Sequence, residues 1–240
     1  MKPQVSSTNF QRVETKGGLQ VKVILFGATG MVGQGVLREC LLDPAVKTVL
    51  AVGRTQTGQS HPKLQEIIPL DIWNLNSVGE KLAGYDACFF CLGVSAAGMK
   101  AAEYQRLTYD LTLSLAATLL ERNPAMTFIY VSGTGTDSTE RGRMMWARVK
   151  GKTENALLRM PFKAAYMFRP GYIQPRHGVR TKTNWYRAFY AVMAPLYPLL
   201  KFFPKYVTTT ECVGRAMIRV TREGYDRSIL ENRDINRVCR

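Results

Sequence analysis

The chain has only two histidines, His61 and His177, among its 240 residues. Its five cysteines are scattered: Cys40, Cys88, Cys91, Cys212 and Cys239. No metal site is expected from so few nitrogen and sulfur ligands. Cys88 and Cys91 have redox or zinc spacing, but they lie inside the apolar run 87–92, which reads as a buried strand, and no second pair accompanies them. An odd cysteine count in a chain that is neither short nor loop-stapled argues against a disulfide scaffold. Acidic residues are also scarce, 18 Asp and Glu against 33 Lys and Arg, for a formal net charge of +15. That excess favours anionic ligands, acidic membrane surfaces or nucleic acid without choosing among them. The opening twenty residues are polar and lack the apolar core of a secretory signal; residues 1–18 read as a loose arm. Thiol usage and the missing signal together point to a cytosolic setting.

What is present is globular. Hydrophobic residues make up 46% of the chain and charged residues 21%, enough to bury a sizeable core. From residue 19 onward, short apolar runs alternate with helical spacing. Val21–Phe26, Val46–Val52, 66–70, 87–92, Thr127–Val131 and 164–168 read as strands. Residues 31–42, 77–82, 101–122 and 144–159 read as helices between them. Strands that are apolar throughout, separated by helices, predict a parallel sheet covered on both faces, a doubly wound α/β fold. Beyond Gly171 the alternation breaks down. The reading is an arm over 1–18, a nucleotide-binding domain over 19–171, and a small C-terminal lobe over 172–240 that completes it.

The most specific motif is Gly27-Ala28-Thr29-Gly30-Met31-Val32-Gly33, which follows a strand and opens a helix. Gly27 permits the tight turn, Gly30 lets backbone approach a pyrophosphate, and Gly33 lets helix pack on strand. The free N–H groups at the helix start then face the phosphates. At the end of the second strand stands Arg54, with no carboxylate nearby in sequence. A carboxylate there would bind the ribose hydroxyls of NAD; an arginine accommodates the 2′-phosphate of NADP. NADP(H) is the expected cofactor.

These residues, with Asp71-Ile72 after the third strand and Cys91-Leu92-Gly93 after the fourth, resemble the short-chain dehydrogenase/reductase superfamily. More narrowly, they resemble its atypical extended members of the epimerase/dehydratase kind, in the branch of the Tat-interacting oxidoreductase. The segment 149–154 (VKGKTE), the turn Arg169-Pro170-Gly171, and the segments 207–217 and 230–235 add to that resemblance. It implies a Rossmann fold with Asp71 and Ile72 at the adenine. Cys91, Leu92 and Gly93 would line the ribose and nicotinamide side, and Pro170, Gly171 and Ile173 the nicotinamide amide. The activity implied is hydride transfer on an unidentified carbonyl or alcohol, directly or within an epimerase-like cycle.

Such enzymes place a Tyr and a Lys four residues apart on one helix face, with an upstream Ser or Thr. The phenol passes a proton while the ammonium lowers its pKa and holds the ribose. Here Lys150 is present, and Ser132 and Thr134 follow the fifth strand, but Trp146 holds the tyrosine's position. Indole N–H only donates and cannot shuttle a proton. Three readings follow. Another group (Ser132, Thr134, Tyr172, Tyr186 or water) supplies the proton; the protein binds NADPH without turnover as a regulator or partner-binding module; or Trp146 is a core residue and the register is displaced.

The segment 185–204 is rich in aromatics, carries Arg187 and Lys201, and is flanked by Lys205. Pro195 and Pro198, and an uncharged stretch of only 188–200, argue against a membrane span. The segment reads as a pocket-forming lobe, or as a peripheral element meeting an anionic membrane or a protein partner. Basic residues are spread along the chain with no recognised nucleic-acid module, so no nucleic-acid partner is expected.

Overall fold

The computed structural model of the chain describes residues 20–179 and 205–240. The arm 1–18, the segment 185–204 and Tyr186 lie outside the described residues. Seven strands form one parallel sheet, in the order β3-β2-β1-β4-β5-β6-β9. The strands are β1 (Val21–Phe26), β2 (Val46–Val52), β3 (Leu64–Ile67), β4 (Ala87–Phe90), β5 (Thr127–Val131), β6 (Ala164–Arg169) and β9 (Ile229–Glu231). Two further strands, β7 (Tyr172–Gln174) and β8 (Val207–Thr209), pair parallel to each other beside it. The helices are α1 (Met31–Leu42), α2 (Ala101–Gln105), α3 (Leu111–Arg122), α4 (Met145–Arg159), α5 (Thr210–Glu223) and α6 (Asn232–Val238).

The doubly wound prediction holds, and its cause is visible in the strands. Alternate side chains of each strand enter different cores. Val23, Leu25, Phe89 and Ile129 pack under α1 and α5, while Ile24, Phe26, Phe90 and Phe128 pack under α3. Phe90 is flanked by Phe26 and Phe128, with ring centroids 5.4 and 5.8 Å away. A strand wetted on neither face has to be apolar at every position, which is why β1, β2 and β4 carry so few polar residues.

Four expectations shift. The third strand is Leu64–Ile67, not 66–70, because β2 ends at Val52 opposite Ile67 and leaves nothing to pair with. Ile68 and Leu70 emerge into solvent instead. The fourth strand stops at Phe90, so Cys91 and Leu92 belong to the loop that follows it. The helix over 77–82 is a 3₁₀ helix, Asn76–Leu82. The long helix over 101–122 is interrupted by a π segment, Arg106–Asp110, between α2 and α3.

Among the cysteines, Cys212 and Cys239 form a disulfide, with Cα atoms 5.2 Å apart, although no disulfide scaffold was expected. Sequence spacing could not reveal it, since the pair is 27 residues apart and is brought together by α5 packing on α6. Cys40, Cys88 and Cys91 are free. Burial raises the Cys88 thiol well above its ordinary value and pushes Cys91 up to about 12, so both are inert near neutral pH.

Helix α5 packs on α1 through the close approach of Gly35 to Thr210. A Cβ on Gly35 would fall 2.4 Å from Thr210 Cβ and 3.0 Å from its backbone. Gly35→Val should therefore lower stability by about 1–3 kcal/mol, as overpacking does. Urea unfolding measures this; an unchanged midpoint would contradict the contact.

Candidate functional site

The strand order reverses between β1 and β4, and in open α/β sheets ligands bind outside the carboxyl ends of strands at that point. The glycine turn sits there. Gly27 has φ +79, and a Cβ on it would lie 2.7 Å from the Cys91 carbonyl carbon and 2.8 Å from Leu92 N. Only glycine fits, by conformation and by space. Gly33 is pressed equally hard: its Cβ would fall 2.0 Å from Gly27 O. Gly30 differs. Among the described residues, the one atom its Cβ would meet within 4 Å apart from its chain neighbours is Gly27 O, at 3.3 Å. Gly30 is the N-cap of α1 without a capping side chain, and the first turn, begun by Met31 and Val32, carries no acidic residue. A cradle of bare N–H groups with no carboxylate fits a diphosphate.

A cleft of about 530 Å³ opens beside the turn, lined by the carboxyl ends of β1, β2, β3 and β4 and by α3. Of the residues expected at the nucleotide, Gly27, Thr29, Arg54, Ile72, Leu92 and Gly93 line it. Among the described residues, Arg54 is its lining cation. The expectation of no nearby carboxylate needs correcting: Glu66, at the end of β3, also lines the cleft. It is twelve positions from Arg54 in sequence and arrives only because β3 pairs with β2. Its Oε1 accepts a hydrogen bond from Thr57 N at 2.7 Å. Asp71 does not line the cleft; its Oδ1 accepts from Trp73 N at 2.9 Å, closing a local turn that presents Ile72 and Trp73 to the cavity. Trp73 was missed. Its ring carries the Arg106 guanidinium at 5.2 Å.

The proton-transfer residues form a second group, away from the cleft lining. Lys150 donates through Nζ to the Ser132 carbonyl oxygen. Burial pushes its ammonium down to about 8, while Glu154, one helical turn on, acts in the opposite sense. Ser132 is buried, and its Oγ lies 2.5 Å from Glu154 Oε1, a bond in which the hydroxyl donates. Thr134 is exposed, its Oγ1 donating to Arg169 O at 3.1 Å and its N–H to Pro170 O at 2.9 Å. Tyr172 donates its hydroxyl to Gln174 Oε1 at 3.0 Å. Trp146 packs its ring edge against Gly135, whose φ is +87 and whose Cβ would lie 3.4 Å from the indole. Among the described residues, the candidate hydroxyls Ser132, Thr134 and Tyr172 are thus already engaged as donors.

Beneath them lies an ion pair. Arg169 donates through Nε to Glu154 Oε1 and Oε2 at 3.0 and 3.2 Å, through Nη2 to Glu154 Oε2, and through Nη1 to Glu231 Oε1 at 3.2 Å. Glu154 is fully buried and Arg169 is 8% exposed. Desolvation works against the guanidinium's charge, but Glu154 and Glu231 outweigh it and raise its pKa. The turn beyond is equally tight. Gly171 N donates to Asn232 Oδ1 at 2.8 Å, a Cβ on Gly171 would meet Tyr206 O at 2.2 Å, and Ile173 is buried in β7.

The family model described as "NAD dependent epimerase/dehydratase family" matches residues 23–139. That stretch is similar to the family and falls just short of half of the chain. The matched segment holds the glycine turn and the whole cleft lining. "Protein fmp52, mitochondrial" from Emericella nidulans is 29% identical over 157 residues, 63% of this chain and 66% of that protein. "Protein HTATIP2" from Rattus norvegicus is 27% identical over 153 residues, 62% of this chain and 61% of that protein, and it represents the Tat-interacting branch. The chain thus spans just under two thirds of these relatives. The Bordetella bronchiseptica enzyme WbmF, solved with NAD+ and UDP, superposes with a TM-score of 0.65 at 15% identity, covering 90% of this chain and 73% of that one. At that identity it speaks for the fold alone. The cytosolic expectation is overturned: the Fmp52 relatives are named mitochondrial.

Two consequences can be measured. Glu154→Ala removes the buried carboxylate of the pair and leaves Arg169 only the exposed Glu231 and the Ser138 hydroxyl; it should cost about 3 kcal/mol in urea unfolding, and a loss under about 1 kcal/mol would contradict the buried pair. For Lys150 the folded value lies below the ordinary 10.5. Between pH about 8 and 10.5 the unfolded chain therefore holds this proton while the folded chain has released it, so this group's contribution to stability rises with pH. Lys150→Met should raise the thermal midpoint relative to the parent most below pH 8, with the difference narrowing toward pH 10. A pH-independent difference would refute the depressed value.

Proposed function

We propose that the cleft binds NADP(H), and that the protein acts through the bound dinucleotide as a regulator or partner-binding module, not as a reductase of the usual tyrosine-driven design. The observation that carries the first part is the convergence of Gly27, Thr29, Arg54, Ile72, Leu92 and Gly93 on one cleft at the switch point. When bound, the dinucleotide supplies a hydride donor or acceptor at its nicotinamide. The chain's own part is to hold phosphate at Gly30–Gly33 and to meet a 2′-phosphate with Arg54. Ile72 and Trp73 offer an apolar seat for the adenine end. Glu66 stands against the NADP preference, because a carboxylate repels a 2′-phosphate and suits ribose hydroxyls; its bond to Thr57 N occupies one of its oxygens.

The second part rests on proton supply. Trp146 cannot relay a proton, and the Ser132, Thr134 and Tyr172 hydroxyls already donate elsewhere. One observation favours a second reading, an oxidoreductase on a carbonyl or alcohol: Lys150, with its ammonium at about 8, titrates in the working range of a general acid.

Calorimetric titration should give tighter binding of NADPH than of NADH. Arg54→Ala should erase most of that preference and Glu66→Gln should widen it; equal affinities in the parent chain would reject the NADP assignment. Gly30→Val should abolish binding of both nucleotides in a folded protein, and retained binding would misplace the phosphates. Across a carbonyl panel the parent chain should leave NADPH fluorescence unchanged over hours. Trp146→Tyr should raise a rate above background, since general acid catalysis is worth roughly 10²–10⁴-fold. Brisk turnover by the parent chain, lost in Lys150→Ala, would favour the oxidoreductase over the regulator.

A further inference from the structure

The helix α6 has seven residues, too few to be stable alone, so its position depends on what holds its ends. Its side chains clamp the region that follows β6. Asn232 accepts from Gly171 N at 2.8 Å and donates to Val207 O at 3.1 Å; Asn236 donates to the same Val207 O at 2.7 Å. One short helix thus ties the turn after β6 to the strand β8. At its start, a reciprocal capping pair, Glu231 and Asp234, fixes it. At its end, Arg219 Nη1 donates to Val238 O at 2.9 Å, and the disulfide joins Cys239 to Cys212 in the first turn of α5.

We propose that Cys212–Cys239 is a thiol–disulfide exchange site, and that its state sets how firmly α6 clamps the turn after β6 to β8. This goes beyond nucleotide binding and does not depend on it.

The two sulfurs differ in access. Cys212 is 8% exposed, whereas Cys239 is partly exposed and lines a surface groove of about 380 Å³ between α1 and α5. The groove holds Arg215, Arg219 and Arg222 but also Glu39, Asp43 and Glu223, so access and not charge directs attack. An incoming thiolate reaches Cys239 Sγ, and Cys212 is the leaving group. Cys212 is the third residue of the fourteen-residue α5, where the helix N-terminus favours a thiolate. The attack forms a mixed disulfide at Cys239, breaks the Cys212–Cys239 bond and sends its electron pair to Cys212 Sγ, which takes up a proton. The second thiol of a dithiol reductant then attacks the mixed disulfide and releases Cys239 as a thiol. Two electrons and two protons pass to the protein, and the dithiol becomes a cyclic disulfide. In the disulfide-bonded structure Cys212 Sγ lies 3.3 Å from Asn236 Oδ1, on the side chain that holds Val207, so a released thiol has an acceptor at hand. The chemistry that unlocks the helix therefore ends beside the residue doing the clamping.

The test uses the whole chain, purified without reductant, and dithiothreitol as the reductant. Unfolded without reductant, it should titrate three thiols of its five cysteines; five would overturn the proposal. After reduction, amide hydrogen exchange at Gly171 and Tyr172 should speed at least several-fold, while β1 amides stay unchanged. The melting temperature should fall by roughly 5–10 °C, as expected for opening a loop of this length in a chain of this size. The Cys212→Ser/Cys239→Ser double variant should show the faster exchange from the outset and ignore dithiothreitol. Equal exchange at Gly171 in the oxidised and reduced parent chain would overturn the proposal, whether or not the double variant folds.

Discussion

The buried pair of Glu154 and Arg169 sets the conditions for everything on the carboxyl side of β5. A carboxylate with no solvent exposure tolerates its charge only when fully partnered. Its partners here come from three places: the guanidinium at the end of β6, the Ser132 hydroxyl at the end of β5, and the opposing charge of Lys150 on its own helix. Arg169 extends the network to Glu231 and, through Nη2, to Ser138 Oγ at 2.6 Å. Five segments are thereby held to one another by a single buried ion pair. The cost is chemical freedom. A serine that must satisfy Glu154 has no proton to lend outward, and Lys150 is held against a backbone carbonyl.

The two halves of the site are accordingly built on different principles. The nucleotide half is shaped by absence of side chains. Gly27 and Gly33 have no room for a Cβ, while a Cβ on Gly30 would meet, among the described residues beyond its neighbours, Gly27 O alone. Its first helical turn leaves N–H groups bare. The other half is shaped by saturation, with the Ser132, Thr134 and Tyr172 hydroxyls each donating to a protein oxygen. Binding survives in such a molecule more readily than proton transfer, which is why the phenol's replacement by Trp146 is read as one part of a consistent arrangement and not as an isolated oddity.

What could be read from the sequence was local. The glycine spacing and the alternation of apolar strands with helices are properties of neighbouring residues, and the doubly wound sheet they predict is the one found; Lys150 lies on α4, away from the cleft lining. What could not be read needed distance. Glu66 reaches the cleft because β3 pairs with β2. The end of β3 was misplaced because β2's length, not β3's apolarity, limits it. Cys212 and Cys239 meet through helix packing 27 residues apart. Glu154 and Arg169 were both inside segments singled out for family resemblance, and an unpaired Glu on the buried side of an amphipathic helix was the available signal that a cation must meet it. Trp73 left a fainter one, an aromatic immediately after the Asp71-Ile72 step.

The most direct measurement is a crystal structure of the chain grown with NADP+. The account predicts the diphosphate against the amides of Met31–Gly33, the 2′-phosphate within hydrogen-bond distance of the Arg54 guanidinium, and Ser132 Oγ still on Glu154 with no hydroxyl facing C4 of the nicotinamide. Density for the nucleotide outside the β1–β4 cleft, or a protein hydroxyl turned onto the nicotinamide side, would contradict it.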